Sequence, residues 1–254
     1  MTEEAFIRAV LDAPGQDTPR LVYADWLDDH DAPDRAAYLR AERAAVVNGD
    51  TTAMRELAAG LDPVWIARVT LPPFGVCLGS ADVTDTGPAV SVADVDTAER
   101  RLGASFPADY RAFLLNFNGC SLGGHRGYET LDGELLRSPT GEIIRFDDLE
   151  WRLARLDRVD RFPIRPDDFL TDSASVHGLP PLVESVTSWV SRFVVIGNDP
   201  DMIGGIFLGV SGRDRGHVRI LDTSVELEVG VRHHANNPPD HVDFAELLSR
   251  MLDH

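Results

Sequence analysis

Residues 91–119 read SVADVDTAERRLGASFPADYRAFLLNFNG, and this stretch decides the fold class. Two amphipathic helices lie end to end in it. Ser91 is placed to cap the first, Val92, Val95, Ala98 and Leu102 supply its apolar positions, and Gly103 ends it. Pro107 opens the second, where Tyr110, Phe113, Leu114 and Phe117 form an apolar stripe terminated by Gly119. From residue 193 the pattern changes to strands. Phe193 to Ile196, Ile206 to Val210 and Val218 to Leu221 are short apolar runs separated by turn residues, and Val225 to Val231 alternates as a candidate fourth strand. Asp243 with Glu246 three residues on is a capping box for a closing helix carrying Phe244, Leu247, Leu248 and Met251. Helices, then a meander, then a helix describe an α+β domain. Residues 120–190, with a charged helix near Phe146 to Leu156 and proline-containing loops, are the least legible part.

Upstream, residues 1–69 read as helices. Phe6, Ile7, Val10 and Leu11 repeat at helical spacing, and the segment ends over Asp12 to Gly15. Thr18 offers an N-cap with Pro19 after it, and Leu21, Val22, Ala24, Trp26 and Leu27 supply a second helix. A third runs from about Asp34 to Val47, stopped by Asn48-Gly49-Asp50. Asp62-Pro63 begins a short turn carrying Val64, Trp65, Ile66 and Val69. Pro72, Pro73, Gly75, Gly79, Gly87 and Pro88 punctuate residues 70–91, which read as a linker, with Phe74, Val76 and Leu78 as a candidate short strand. The expected division is therefore 1–69 helical, 70–91 linker and 92–254 α+β.

The 254 residues carry 42 acidic and 24 basic side chains, a formal net charge of −18, and every basic residue is arginine. Codon usage accounts for the missing lysine without any functional reading. So negative a chain is unsuited to nucleic acid or an anionic membrane, both of which demand clustered positive charge. It suits a basic protein partner, or solubility alone. Cys77 and Cys120 are the only cysteines, which fits a reducing, cytoplasmic setting without a disulfide framework. The start, with Glu3 and Glu4, lacks the basic opening of a secretory signal. No stretch approaches a membrane span.

Two resemblances rest on particular residues. Pro19-Arg20-Leu21-Val22-Tyr23-Ala24-Asp25-Trp26-Leu27, followed by Asp28-Asp29-His30, resembles a bacterial repeat-companion domain. With the Phe6 to Pro14 helix before it and Tyr38-Leu39-Arg40 after it, the likeness covers about residues 3–46. The family has no established activity, so the likeness implies a small helical accessory domain and little else. Glu99, Leu102, Gly103, Phe106, Pro107, Tyr110, Phe113, Leu114, Asn118 and Gly119 resemble the SUKH superfamily over about 92–252. Val195-Ile196-Gly197 and Gly205-Ile206-Phe207-Leu208 are similar to its strands on either side of an acidic turn. The superfamily includes regulators of fungal cell-wall synthesis and bacterial immunity proteins that neutralise toxins. The resemblance implies helices packed on a mainly antiparallel sheet and a protein-binding habit. The chain departs from the pattern in a long 120–190 stretch and in Met202-Ile203.

No constellation of residues completes a catalytic or metal set. His233, His234 and His241 near Asp240 lack the three- or four-residue spacing of a helical ligand pair and read as a solvated loop. Asp199 and Asp201 with Gly204 fail as a calcium loop, whose fifth and twelfth positions would be Ile203 and Val210. Gly209-Val210-Ser211-Gly212-Arg213 lacks the second glycine of a nucleophile elbow. Gly119 to Gly124 follows a helix, whereas a dinucleotide loop follows a strand; it reads as a helix end leading into an extended segment. Cys120 with His125, and the pairs Asp147-Asp148 and Asp167-Asp168, read as an indifferent thiol and solvated charges. Tyr23, Asp25 and Trp26 are the best functional candidates of the first part, although aromatic residues at helical spacing usually serve packing.

The expectation is a non-catalytic, cytoplasmic, immunity-like protein without metal or cofactor that blocks a toxin, a nuclease for example, through an acidic surface. A regulatory or scaffold protein in a larger assembly is the alternative. Asp199, Asp201 and Asp214, on turns where side chains project, and Trp26 are the expected protein-binding residues.

Overall fold

The computed structural model describes residues 2–122, 152–161, 191–198, 204–222 and 242–252. Five helices come first: α1 (Glu3–Asp12), α2 (Asp17–Asp28), α3 (Pro33–Asn48), α4 (Thr52–Ala58) and α5 (Pro63–Val69). Each turns an apolar row inward, such as Ile7, Val10 and Leu11 of α1 or Tyr23, Ala24 and Leu27 of α2. Asp62 caps α5 by accepting the Val64 N–H at 3.0 Å, and Gly49 ends α3 with a left-handed φ of 76°. Thr18 is not the cap of α2. The helix starts earlier, after Gln16, with no side-chain cap bond. Pro19 still falls within the first turn, where its missing N–H costs nothing. α4 was not expected from the sequence; Met54 is its one buried residue.

The stretch 70–91, expected as a linker, is packed. Val76, Cys77 and Leu78 are buried, and Val83–Thr84 forms strand β1. The strand expected over Phe74 to Leu78 does not form. Instead, the backbone hangs on the end of α5: the Val76 N–H donates to the Ala67 carbonyl at 2.8 Å and the Cys77 N–H to the Thr70 carbonyl at 2.9 Å.

Two helices follow, α6 (Val92–Leu102) and α7 (Ala108–Phe117), and α8 (Phe244–Leu252) closes the described chain. Ser91 caps α6 in a reciprocal box with Asp94, and Gly103 ends it in the left-handed region. The remaining strands are β2 (Cys120–Leu122), β3 (Arg152–Leu153), β4 (Asp160–Arg161), β5 (Phe193–Asn198), β6 (Gly204–Gly209) and β7 (Val218–Asp222). The extended segment read after Gly119 is β2. Among the described residues all pairings are antiparallel, in the order β1-β2-β3-β5-β6-β7, with β4 also on β5. A register shift between Val195 and Gly197 marks a bulge in β5. The α+β class and the three-strand meander therefore hold; Val225 to Val231 lies outside the described residues.

α7 is the centre of packing. Its Tyr110, Phe113 and Leu114 are fully buried, and Phe244 of α8 meets the Tyr110 and Phe113 rings edge-on at 5.1 and 5.2 Å. The other side of α7 lies against α5. There Arg68 Nε donates to Asn116 Oδ1 at 2.9 Å, and Asn116 Nδ2 returns a bond to the Arg68 carbonyl at 3.0 Å. One buried apolar cluster thus runs from Ile7 in α1 to Leu248 in α8.

Candidate binding surface

α2 divides its residues by face. Arg20, Tyr23, Ala24 and Leu27 point inward, and Leu21, Val22, Asp25 and Asp28 point out, with Asp29 exposed just past the helix end. Trp26 lies half-buried at the border. Its ring sits 5.1 Å from Phe6 and 6.1 Å from Tyr23, and the His30 ring stacks on it at 3.9 Å. Trp26 therefore packs with one face and reaches the surface beside a run of carboxylates. Arg40 of α3 bridges Asp25 at 2.8 Å and Asp28 at 2.7 Å, and Arg43 pairs with Asp17 at 2.7 Å. Bonds to Asp28 and then Asp25 hold the Arg40 guanidinium above its ordinary pKa. Asp29, Asp31 and Asp34 have no cation partner among the described residues. Asp31 turns the chain between the two helices with a φ of 57°, a conformation that Asp tolerates better than most residues.

Asp214 does not project from its turn. It ends a short 3-10 turn, Gly212–Asp214, and is fully buried. Its Oδ2 lies 2.7 Å from Arg192 Nε, and its Oδ1 lies 3.7 Å from Arg219 Nη2 on β7, where Arg219 is itself fully buried. The cause is the fold of the turn. Gly209 exchanges backbone bonds with Gly216 and His217, and a side chain at 209 would collide with the Asp214 carbonyl. The turn lies back on β6 and carries the carboxylate inward, so Asp214 is an internal ion-pair hub, not a rim contact. Asp199 and Asp201 lie outside the described residues, as do His233, His234, Asp240, His241 and the carboxylate pairs at 147–148 and 167–168.

The inner face of α2 carries a polar group the sequence reading passed over. Arg20 is buried and donates to Glu42 Oε2 of α3 at 2.8 Å and to the Val69 carbonyl, and its Nη2 lies 3.4 Å from Cys77 Sγ. Glu42 Oε1 accepts the Leu71 N–H at 3.1 Å. Burial raises the Glu42 pKa, and the Arg20 charge opposes that rise. Spacing was the available signal: Arg20 precedes Tyr23, Ala24 and Leu27 on the buried row of α2, and Glu42 lies between Leu39 and Ala45 on that of α3. An arginine and a glutamate on facing inner rows are expected to pair.

Other shifted groups are dispersed. Burial pushes the Cys77 thiol up to about 11 and the Cys120 thiol to about 12, which makes both poor nucleophiles. Asp109 of α7 rises to about 6, through burial and then the Asp243 charge, while it accepts the Tyr110 and Ala245 N–H groups. Open recesses flank α6, one beside Val90 and Leu156 and the other beside Ser105 and Val210. Neither is lined by Asp109, Cys77 or Cys120. Among the described residues no group of three metal-ligating side chains comes together, and no helix is long and apolar enough to cross a membrane.

The α6–α7 region explains itself as packing and capping. Glu99 accepts the Phe106 N–H at 2.7 Å and a bond from Arg111 at 2.6 Å. Asn118, left-handed at φ 48°, donates to the Pro88 carbonyl at 2.8 Å and accepts the Leu156 N–H at 2.8 Å. Residues 89–220 match the model of the SMI1 / KNR4 family (SUKH-1). The chain belongs to this family. No curated protein matches it. The SUKH match begins three residues before the expected start and ends within β7, ahead of α8. It supports a protein-binding role, immunity-like or regulatory, and leaves the five N-terminal helices outside its span.

Proposed function

We propose that this chain is a non-catalytic, immunity-like module that holds a basic toxin domain, such as a nuclease, against its acidic exterior. SUKH membership supports protein binding. The observation that carries the finer reading is how charge is distributed in residues 1–69. Of the thirteen carboxylates there, only Glu42 is buried. Five of the seven arginines, Arg20, Arg35, Arg40, Arg43 and Arg68, are tied to carboxylates of the same part. The uncompensated charge at the surface is therefore negative, which speeds encounter with a basic partner and disfavours wrong ones. Asp199, Asp201 and Trp26 remain our proposed contact residues, and Asp214 is withdrawn by its burial. A cytoplasmic setting fits two free, buried cysteines. We also propose that residues 1–69 are a repeat-companion-like helical unit packed against the SUKH unit.

The test is co-purification with the product of the neighbouring gene, followed by stopped-flow association at rising salt. A stable complex whose association rate falls steeply with salt is expected. No complex, or one indifferent to salt, favours the scaffold alternative.

A further inference from the structure

We infer that the outward face of α2 is the docking surface for a basic amphipathic helix of a partner protein; this placement rests on the acidic-surface reading above. The first observation is apolar exposure. Among the described residues the exposed large apolar side chains are Leu21 (40%), Val22 (51%), Val46 (59%), Val47 (72%), Phe74 (38%) and Val92 (53%). Four of those six lie on the α2–α3 pair, so exposed apolar surface is concentrated there and not scattered. On α2 the helical repeat places Val22 in one outward row with Asp25 and Asp29, with Leu21 on the α3 side and Trp26 on the α1 side. The result is an apolar strip of Leu21, Val22 and Trp26 interleaved with carboxylates.

The second observation is charge, and it selects the occupant. The Asp25 side chain is 75% exposed, Arg40 is the cation that reaches Asp25 and Asp28, and Asp29 has none among the described residues. An anionic lipid surface or a nucleic acid would be repelled. A second copy docking through the same face would set Asp25 and Asp29 against their own counterparts, a like-charge juxtaposition that opposes association. What fits is a helix with an apolar stripe to cover Leu21, Val22 and the open edge of Trp26, flanked by arginine or lysine to meet the carboxylates. Apolar contact supplies the lasting grip, and the flanking charges set encounter rate and orientation.

The experiment uses the full chain and a dye-labelled synthetic peptide of about five helical turns, with leucine on one face and arginine beside it. Fluorescence anisotropy compares it with a scrambled peptide of the same composition and with a glutamate version. The amphipathic peptide should bind about tenfold tighter than the scramble, and the glutamate version should not bind. The pair L21S/V22S should weaken binding by about tenfold and keep its salt dependence. The pair D25N/D29N should flatten that salt dependence, and V92S, on the SUKH side, should change nothing. Equal binding by amphipathic and scrambled peptides overturns the proposal, as does insensitivity to both pairs or an equal loss in V92S. Self-association of the chain that L21S/V22S abolishes overturns it too, in favour of a second copy. The neighbouring-gene partner separates the two readings: salt-sensitive binding that survives L21S/V22S ends this placement alone, whereas no salt-sensitive partner ends the acidic-surface reading itself.

Discussion

Asp109 shows how two neighbours can set one carboxyl's behaviour. Its position in the first turn of α7 gives it the Tyr110 N–H at 2.8 Å, and the approach of α8 gives it the Ala245 N–H at 3.1 Å. Both bonds favour the carboxylate, yet burial and the nearby Asp243 charge win, and its pKa rises from 3.8 to about 6. A raised folded-state pKa means that the folded chain holds this proton more tightly than the unfolded one. The stabilisation is complete below about pH 3.8 and is lost as pH rises through about 6. Asp109→Asn should therefore remove a pH dependence on the order of 2–3 kcal/mol between pH 7 and pH 4, read from urea unfolding at both pH values. An unchanged profile would place the charge penalty elsewhere. Arg20 is the other decisive residue. Arg20→Met leaves Glu42 charged and enclosed, and should cost about 3–5 kcal/mol. Adding Glu42→Leu should recover much of that loss in a double-mutant cycle. A cycle with no coupling would mean that Arg20 stabilises through its bonds to the Val69 carbonyl and Cys77, independently of Glu42.

Elements whose ends are written in capping residues are the most legible in the sequence. Ser91, Gly103, Gly49, Asp62 and Asp243 each do what their residue type suggests; Asp243, for instance, accepts the Glu246 N–H at 2.8 Å at the head of α8. Thr18 misses locally, since α2 already starts after Gln16; the larger failures depend on what meets a segment from far away in sequence. Val76 and Cys77 look like strand residues, but their N–H groups find the carbonyls at the end of α5. β1, β3 and β4 have two residues each, too few for any period to show, and β3 stands within the stretch expected as a charged helix near Phe146 to Leu156. The sequence places Asp214 on a turn, but the close approach to Gly209 sets its direction inward. Asn118 is legible only in part. The sequence ends the helix at Gly119, whereas Asn118 itself is the left-handed cap, and its bridge from Pro88 to Leu156 leaves no local signal. That bridge should be measurable. Asn118→Gly keeps the left-handed backbone and loses both side-chain bonds, so it should cost about 1–3 kcal/mol in denaturant unfolding. Asn118→Ala adds strain at φ 48° and should cost about 1 kcal/mol more. Equal costs would show that the backbone conformation is indifferent and the bridge alone matters.

At the scale of the whole molecule the question is whether the helical part and the SUKH part unfold as one. The sequence suggests a linker and domain boundary at 70–91, because proline and glycine there break every period. The structure fills that stretch with buried Val76, Cys77 and Leu78 and sends it through β1 into the sheet. α5 covers one side of α7, and the Arg68–Asn116 bonds cross that contact in both directions. Arg20 reaches from α2 to Cys77 in the same stretch. Removing residues 1–69 would therefore strip Asn116 on α7 of its Arg68 partner and Cys77 of its Arg20 neighbour, both buried positions. Buried apolar surface of that kind stabilises by roughly 25 cal/mol per Å², and a chain of this size has only about 5–15 kcal/mol in hand. Full-length protein should unfold in a single cooperative transition, with tryptophan fluorescence and circular dichroism superimposable. Limited proteolysis should release no stable piece beginning near residue 92. A protease-resistant 92–254 fragment with native circular dichroism would show that the contact between α5 and α7 is dispensable, and that the joint read in the sequence is a joint in fact.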